Sequence, residues 1–265
     1  MSDARTWISR LLLHAPESVR SLRKIPGLGR VIHAFSHRVI PTDDKIWTKV
    51  EAGPSKGLWL ELNPRTGHPY ALGTVEASVQ QFLVERLNRN DVFYDLGANI
   101  GVFSLLAARV VGEDGKVFSF EPDSTNAERL RRNIARNQFT NVTVVEAGVW
   151  SETCDRQFAA AEPSSPDRGV GTFITDKLPD SAHLVHCVAL DDYVNCAAAP
   201  NGIKCDVEGA ELEVLKGAKA TLNNYGPWIL CEMHSPENDR AAREFLAGLG
   251  YSCEDVDETH IFAAP

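Results

Sequence analysis

The sequence predicts an α/β fold built on a mostly parallel β-sheet, preceded by a smaller N-terminal part. Two observations lead to this prediction. From residue 76 onward, short apolar segments alternate with longer amphipathic segments, which is typical of strands joined by helical crossovers. The chain then ends on two short apolar segments separated by a turn, which indicates a C-terminal antiparallel hairpin added to the parallel sheet.

The predicted elements of the main part follow from the spacing of apolar residues, which alternates between the period of a strand and that of a helix. Up to residue 150, the pattern predicts a helix over 74–87, a strand over 92–96, a helix over 100–110, a strand over 116–122, a helix over 124–138 and a strand over 142–149. Residues 151–188 contain three prolines and two glycines, and we interpret them as a strand pair that carries a long loop. Beyond them the pattern predicts a strand over 202–207, a helix over 209–222, a strand over 227–233, a helix over 238–249 and two closing strands over 251–256 and 260–264.

The N-terminal part divides into two predicted segments. Residues 1–45 hold three prolines and read as a basic arm of short helices, in which Trp7, Ile8, Leu11 and Leu12 share one apolar face. This arm could dock as a cap on the main domain, or residues 1–40 could contact a membrane surface or an acidic partner. Residues 46–75 alternate around glycines and predict a β-hairpin, so that 76–265 form the main domain.

Composition and charge exclude several classes of protein. The 265 residues carry a formal charge of -9, which disfavours a nucleic-acid binder because neutralising phosphates requires surplus Lys and Arg. The six cysteines lie far apart with no C-x-x-C pair, which favours reduced core thiols and a cytoplasmic protein. The apolar run "WISRLLL" is too short for a signal sequence or a membrane span.

The segment "DLGANIG" predicts a ligand site at the end of the first strand of the main domain. Gly97, Asn99 and Gly101 precede a helix, where backbone amides can approach a ligand closely. Asp95, at the tip of that strand, would repel a pyrophosphate and favours a cationic cofactor, S-adenosylmethionine. Glu121 follows the next strand twenty residues after Gly101, where a carboxylate can accept the hydroxyls of a ribose.

Four segments together carry a family resemblance. "DLGANIG", "FEPD", "LDDYV" and above all "IKCDVEGAELEVLKGA" resemble the FkbM-type methyltransferases over roughly residues 70–263. The resemblance implies a class I, Rossmann-like fold, S-adenosylmethionine as cofactor, and methylation of a hydroxyl oxygen on a sugar or another natural product. It does not imply which acceptor. The residues that it places at the cofactor are Thr74, Glu76, Asp95, Gly97, Ala98, Asn99, Gly101, Glu121, Pro122, Glu146, Ala147 and Asp206.

Methyl transfer to an alcohol needs in-line orientation and a base for the hydroxyl proton. His234 follows a strand and has the ordinary pKa best suited to accept a proton near neutrality, so we nominate it as the base. Asp206 or Glu232 would orient it or the acceptor. Lys204 could serve as base instead if it were desolvated.

Other polar residues near the same strand ends are candidates for binding the acceptor. The predicted substrate contacts are Glu208 and, from the long loop, Arg168 and His183. Asp206, Glu208 and Glu232 could also hold Mg²⁺ against an acceptor diol.

Two rival functions stay open at this point. One is a cofactor-binding or scaffold protein without catalysis. The other is a nicotinamide-dependent oxidoreductase, which the spacing of the glycines and the acidic neighbour fit poorly.

Overall fold

The computed structural model describes residues 2–14, 25, 27, 44–159, 172–173 and 182–265. Most of the predicted arm and most of the predicted long loop, including Arg168, lie outside the described residues. The chain divides into two compact units with a boundary after Ala77, and each unit is described by itself. No helix in the described ranges is long and apolar enough to cross a membrane.

The first unit contains a helix, a two-stranded hairpin and a short second helix. Its elements are α1 (Ser2–Leu13), β1 (Ile46–Lys49), β2 (Trp59–Leu62) and α2 (His68–Leu72). The hairpin is antiparallel, as the alternation predicted.

The buried side of α1 differs from the prediction. It runs through Ser9 and Leu13, while Trp7 and Leu11 are 65 % and 54 % exposed. A ring nitrogen of His68 binds the carbonyl of Leu13 at 2.6 Å and so fixes the end of α1 against α2, which helps to set the side of α1 that is buried. The predicted contact of this arm with a membrane or an acidic partner stays a prediction.

The second unit holds the alternating strands and helices. Its strands are β3 (Val92–Leu96), β4 (Lys116–Phe120), β5 (Val142–Val145), β6 (Gly148–Val149), β7 (Cys154–Ala159), β8 (Thr172–Phe173), β9 (Ala182–Val188), β10 (Gly202–Cys205), β11 (Trp228–Glu232), β12 (Ser252–Asp255) and β13 (His260–Ala264). Its helices are α3 (Ala77–Arg86), α4 (Val102–Val111), α5 (Ser124–Asn137), α6 (Leu190–Val194), α7 (Glu211–Gly217), α8 (Lys219–Tyr225) and α9 (Pro236–Gly248).

The central sheet confirms the predicted fold class. Among the described residues its strands lie in the order β12, β13, β11, β10, β3, β4, β5. The pairs from β11 to β5 are parallel, whereas β13 runs antiparallel to both β11 and β12. The carboxyl ends of β3, β4, β5, β10 and β11 therefore meet at one edge, which is where a parallel sheet of this kind places its ligand site.

Strand alternation sends side chains to two cores. Tyr94 and Leu96 of β3 pack into one cluster, and Phe93 packs into the other, on the side of α4. On that second side the register also aligns Asp95 with Ser119 and Lys204 on the neighbouring strands. The sheet thus carries a buried polar row across three neighbouring strands, one residue before the end of each.

Two predicted elements are each divided into two in the structure. The predicted strand over 142–149 is two strands, because the chain leaves the central sheet after Val145 and β6 joins a second sheet in the order β6, β9, β7, β8. The helix over 209–222 is interrupted at Ala218, whose backbone (φ -107°, ψ 6°) is not helical. The predicted strand pair in 151–188 is confirmed as β7 and β9.

Candidate active site

The glycine turn after β3 is shaped first by contacts within the chain. Gly97 has φ +81°, and a Cβ there would lie 1.8 Å from the carbonyl oxygen of Asp206. Gly101 has φ +90°, and a Cβ there would lie 2.1 Å from Leu130. Close approach of the chain to itself already requires these glycines, and the predicted close approach to a ligand stays a prediction.

Asp95 does not stand free at the strand tip. It is the penultimate residue of β3, it is fully buried, and its carboxylate accepts a hydrogen bond from the hydroxyl of Ser104 at 2.5 Å. Ser104 in turn accepts one from Ser119 at 2.7 Å. The carboxylate of Asp95 thus anchors α4 against the sheet, and its predicted effect on the choice of cofactor stays a prediction.

Glu121 is the carboxylate that faces the turn. It is 5 % exposed, and it accepts the backbone N–H of Asn99 at 2.7 Å and that of Asp123 at 2.9 Å, one on each oxygen. Burial raises the pKa of Glu121 to about 7, although these two hydrogen bonds oppose the shift. Pro122 follows it and leads to Asp123, whose side chain caps α5 by accepting from the N–H of Asn126.

This geometry fits the ribose of S-adenosylmethionine. The two carboxylate oxygens of Glu121 have four lone pairs, of which the two backbone N–H groups and the side chain of Asn126 occupy three, so Glu121 keeps an acceptor position. Within the described chain, the side-chain oxygen of Asn99 is buried and accepts no hydrogen bond, so a ligand donor at the turn would satisfy it.

The remaining predicted cofactor residues lie in two places. Glu146 and Ala147 follow β5 at the same sheet edge, where Glu146 pairs with Arg131 at 2.8 Å and Ala147 is buried. Thr74 and Glu76 belong to the first unit, where the hydroxyl of Thr74 donates to the carbonyl of Pro69. Their predicted contacts with the cofactor stay predictions.

Lys204 and Asp206 form a buried ion pair at the end of β10. The side chain of Lys204 is 2 % exposed, its Nζ lies 3.0 Å from the Asp206 carboxylate, and it also sits over the ring of Phe103. Burial alone would raise the pKa of Asp206, but the ammonium of Lys204, together with His234 and Glu232, makes the net shift downward.

His234 follows β11 and is surrounded by carboxylates. Its Nε2 lies 3.1 Å from Glu208 and 3.8 Å from Asp206, and its Nδ1 lies 2.8 Å from Glu211. Hydrogen bonds to Glu208 and Glu211 raise the pKa of His234 to about 11. A protonated imidazole donates hydrogen bonds and does not accept a proton, so this raised pKa disfavours His234 as the base, and its nomination stays a prediction.

Glu211 was missed as a site residue. Its position in the first turn of a helix is also where a negative charge is favourable for the helix alone. In the structure it is fully buried and binds His234, the backbone N–H of Gly209 and the side chain of Asn238. Its place in the "KCDVEGAE" segment, which is narrow to the family, was the one signal that could have identified it.

His260 was also missed, because it was treated as a structural histidine. It is the cross-strand neighbour of Glu232, with its Nε2 at 3.8 Å from the Glu232 carboxylate. Its Nδ1 binds Asp257 at 2.8 Å. Nothing in the sequence pattern pairs these residues, since β13 reaches β11 only through the closing hairpin.

The predicted Mg²⁺ set does not come together as proposed. Asp206, Glu232 and His234 each offer one ligand atom within 4.8 Å of the others, whereas the Glu208 carboxylate contacts His234. Within the described residues the predicted Mg²⁺ set thus shares Asp206 and Glu232 with this group, and the Mg²⁺ stays a prediction. Of the predicted loop contacts, His183 is an exposed residue of β9 that packs on Phe158.

The glycine turn and the charged cluster are adjacent, since Gly97 touches the backbone of Asp206. The edge of the sheet therefore combines the buried carboxylate of Glu121 with a cluster of charged side chains around His234.

Comparisons with known proteins agree with this arrangement. The family described as "Methyltransferase FkbM domain" matches residues 95–253. The chain is 30% identical over 181 residues to the hexuronic acid methyltransferase AglP of Haloferax volcanii, which covers 68% of this chain and 71% of that protein. Over 54 residues it is 37% identical to a probable cobalt-precorrin-6B C(15)-methyltransferase (decarboxylating) of Sulfolobus acidocaldarius, which covers 20% of this chain and 28% of that protein.

Among solved structures, the methyltransferase FkbM of Methylobacillus flagellatus matches with a TM-score of 0.51 and 21% identity, covering 68% of this chain and 44% of that chain. The chain thus spans less than half of that structure, and the likeness shows the class I, Rossmann-like fold. The family match covers more than half of the chain and includes both the glycine turn and the charged cluster, and the chain belongs to the FkbM methyltransferase family.

Proposed function

We propose that this methyltransferase transfers the methyl group of S-adenosylmethionine to a hydroxyl oxygen of a sugar or a related natural product. The contact between Gly97 and Asp206 carries the proposal, because it brings the cofactor turn and the charged cluster to one place. The relative AglP, named for a hexuronic acid, supports a sugar as acceptor.

The cofactor-binding residues follow from the geometry of the turn. Glu121 would accept the ribose hydroxyls, and the buried side-chain oxygen of Asn99 would take a further donor. When bound, S-adenosylmethionine supplies an electrophilic methyl group on a sulfonium. Holding the acceptor oxygen in line with such a group is worth roughly 7–11 kcal/mol, so the main task of the charged cluster is orientation.

The charged cluster also provides the proton acceptor. Because His234 is already protonated, it donates from Nε2 and can orient the acceptor oxygen. Asp206 and Glu232 each offer a carboxylate oxygen within 4.8 Å of the His234 ring, so we assign the hydroxyl proton to one of these two carboxylates. A base in position contributes about 10²- to 10⁴-fold to the rate.

The free cysteines support a reducing compartment such as the cytoplasm. All six are unpaired, and Cys187, Cys205 and Cys231 are buried.

Two measurements test this function. Calorimetry should show binding of S-adenosylhomocysteine and no binding of NAD, and Glu121→Gln should weaken that binding while Glu113→Gln, a change of an exposed turn carboxylate, should not. Transfer of labelled methyl groups to a panel of neutral sugars and uronic acids should then yield methyl ethers, identified by NMR. Binding of NAD in place of S-adenosylhomocysteine would refute the proposal, and binding without transfer to any acceptor would favour a cofactor-binding protein without catalysis.

A further inference from the structure

Glu211 is a buried carboxylate whose oxygens are engaged by three separate parts of the chain. It is 0% exposed at the start of α7. Its Oε1 accepts the backbone N–H of Gly209 at 2.8 Å and lies 2.8 Å from Nδ1 of His234. Its Oε2 accepts from the side chain of Asn238 in α9. A buried carboxylate is costly unless donors surround it, and here each donor comes from a segment that borders the charged cluster.

The first of these segments needs such a restraint. Glu208 has φ +54° and Gly209 has φ +99°, so the turn after β10 holds two successive left-handed residues, one of which is not glycine. That conformation is unfavourable for glutamate. The hydrogen bond from Gly209 to Glu211 closes the turn and keeps the Glu208 carboxylate beside His234.

The second segment is fixed in orientation. With Nδ1 of His234 bound to Glu211, the ring must present Nε2 toward Glu208 and Asp206. Nε2–H of His234 then donates to the Glu208 carboxylate across 3.1 Å at the sheet edge. A diol can bind beside this pair if one of its oxygens shares the Nε2–H in a three-centre hydrogen bond and its other hydroxyl donates to a remaining lone pair of the carboxylate.

We propose that Glu211 is a positioning residue for methyl transfer, which holds the turn 207–209 and the His234 ring so that Nε2–H and Glu208 together bind a vicinal diol of the acceptor. This inference rests on the proposed function and names its substrate class. Glu211 itself acts only through His234 and the turn.

The test compares two carboxylates at the start of the same helix. Glu211→Ala and Glu211→Gln are matched with Glu213→Ala and Glu213→Gln, because Glu213 also lies in the first turn of α7 but binds Ser151 and Lys216. The readouts are kcat and KM for the acceptor, the affinity for S-adenosylhomocysteine, and the imidazole N–H proton of His234 in the NMR spectrum.

We expect Glu211→Ala to lower kcat/KM by about 100-fold, the loss typical of a misplaced reacting group, with unchanged affinity for S-adenosylhomocysteine. Glu211→Gln keeps an oxygen for His234 and Gly209 and should restore most of the activity. The protected N–H signal should vanish in Glu211→Ala and persist in the Glu213 variants. An acceptor with a single hydroxyl should be a poor substrate for the wild type, and its kcat/KM should fall less in Glu211→Ala than that of a diol.

Equal losses in the Glu211 and Glu213 variants would overturn the proposal, as would parallel losses of activity and S-adenosylhomocysteine affinity. If Glu211→Ala does not fold, a Glu211→Gln variant that folds but neither retains activity nor keeps the N–H signal overturns it as well. Failure of the wild type to methylate any acceptor would instead count against the proposed function, and the NMR signal would then decide separately whether Glu211 holds His234.

Discussion

The buried ion pair of Lys204 and Asp206 should contribute to the free energy of unfolding, and the loss of this contribution can be measured. Lys204→Met keeps the length of the side chain and removes the ammonium that lies 3.0 Å from the Asp206 carboxylate. Asp95 is aligned with Lys204 on the neighbouring strand, so the change leaves two carboxylates on one face without this cation.

The magnitude follows from burial. Removing one partner of a buried pair costs about 3–5 kcal/mol, since the other charge stays in a poorly solvated place. The Asp206 side chain is 19% exposed and His234 lies 3.8 Å away, so both water and a second cation moderate the loss. We therefore expect the lower end, about 3 kcal/mol, which lowers the melting temperature of a domain of this size by about 6–12 °C.

Urea denaturation followed by circular dichroism measures this loss, with equal m values as the condition for comparing midpoints. Lys216→Met is the matched control, because Lys216 also pairs with a carboxylate, Glu213 at 2.6 Å, but is 45% exposed. Exposed pairs on a helix contribute about 0.3–0.5 kcal/mol, so the control should change little.

The double change Lys204→Met with Asp206→Asn separates burial of charge from loss of packing. It removes both charges, and it should recover about 1–3 kcal/mol relative to the sum of the single changes. Equal destabilisation by Lys204→Met and Lys216→Met would refute the reasoning, because burial would then have no effect on the value of the pair.

Three further predictions concern protonation, cofactor binding and the turn. An NMR titration should find His234 protonated up to about pH 11, whereas the ordinary pKa of histidine is 6.5. Its contribution to stability is therefore complete below about pH 6.5 and is lost as the pH rises through 11. Glu208→Gln should lower this pKa, and a wild-type pKa near 6.5 would contradict the contacts of His234 with the carboxylates. Glu121→Gln should weaken S-adenosylhomocysteine binding by about tenfold or more in calorimetry, because a charged acceptor is lost, and unchanged affinity would be the contrary result. Gly97→Ala and Gly250→Ala both place alanine at positive φ, but only the Cβ at 97 meets another atom, 1.8 Å away, whereas nothing lies within 4 Å of a Cβ at 250. Gly250→Ala should therefore lower the free energy of unfolding by about 1–2 kcal/mol, and Gly97→Ala should lower it clearly more. Equal melting temperatures of the two variants would exclude the steric explanation.

The sheet could be predicted from the sequence because its determinants are local. Strand and helix periods are visible within each segment, and the alternation of the two, with a closing hairpin, leaves few possible orders for the strands. The break between β5 and β6 was not predictable in the same way. Both strands are short and apolar, and the change of sheet at Glu146 depends on β9, which lies more than thirty residues later.

The site could be predicted only as a set of residue types. Their positions at strand ends predicted that Asp206, Glu232 and His234 lie at one edge of the sheet, and the structure places them together. Their charge states were not accessible, because the pKa of His234 is set by carboxylates from a turn and a helix that the sequence pattern does not join to it. The ordinary pKa of histidine therefore suggested a base where the fold holds a cation.

The case for a cationic cofactor also changes its physical basis once the fold is known. Asp95 is buried, and its carboxylate accepts a hydrogen bond from Ser104 of α4. What remains is a mechanical link: the turn that would hold the cofactor touches the backbone of Asp206, and Asp206 pairs with Lys204 and neighbours His234. A glycine segment shared by many methyltransferases and a charged segment narrow to this family are thus packed as one body. The contact joins the glycine turn to Asp206 and not to the turn 207–209 that follows, so the precision of methyl transfer depends on this packing as well as on the charge of any single side chain.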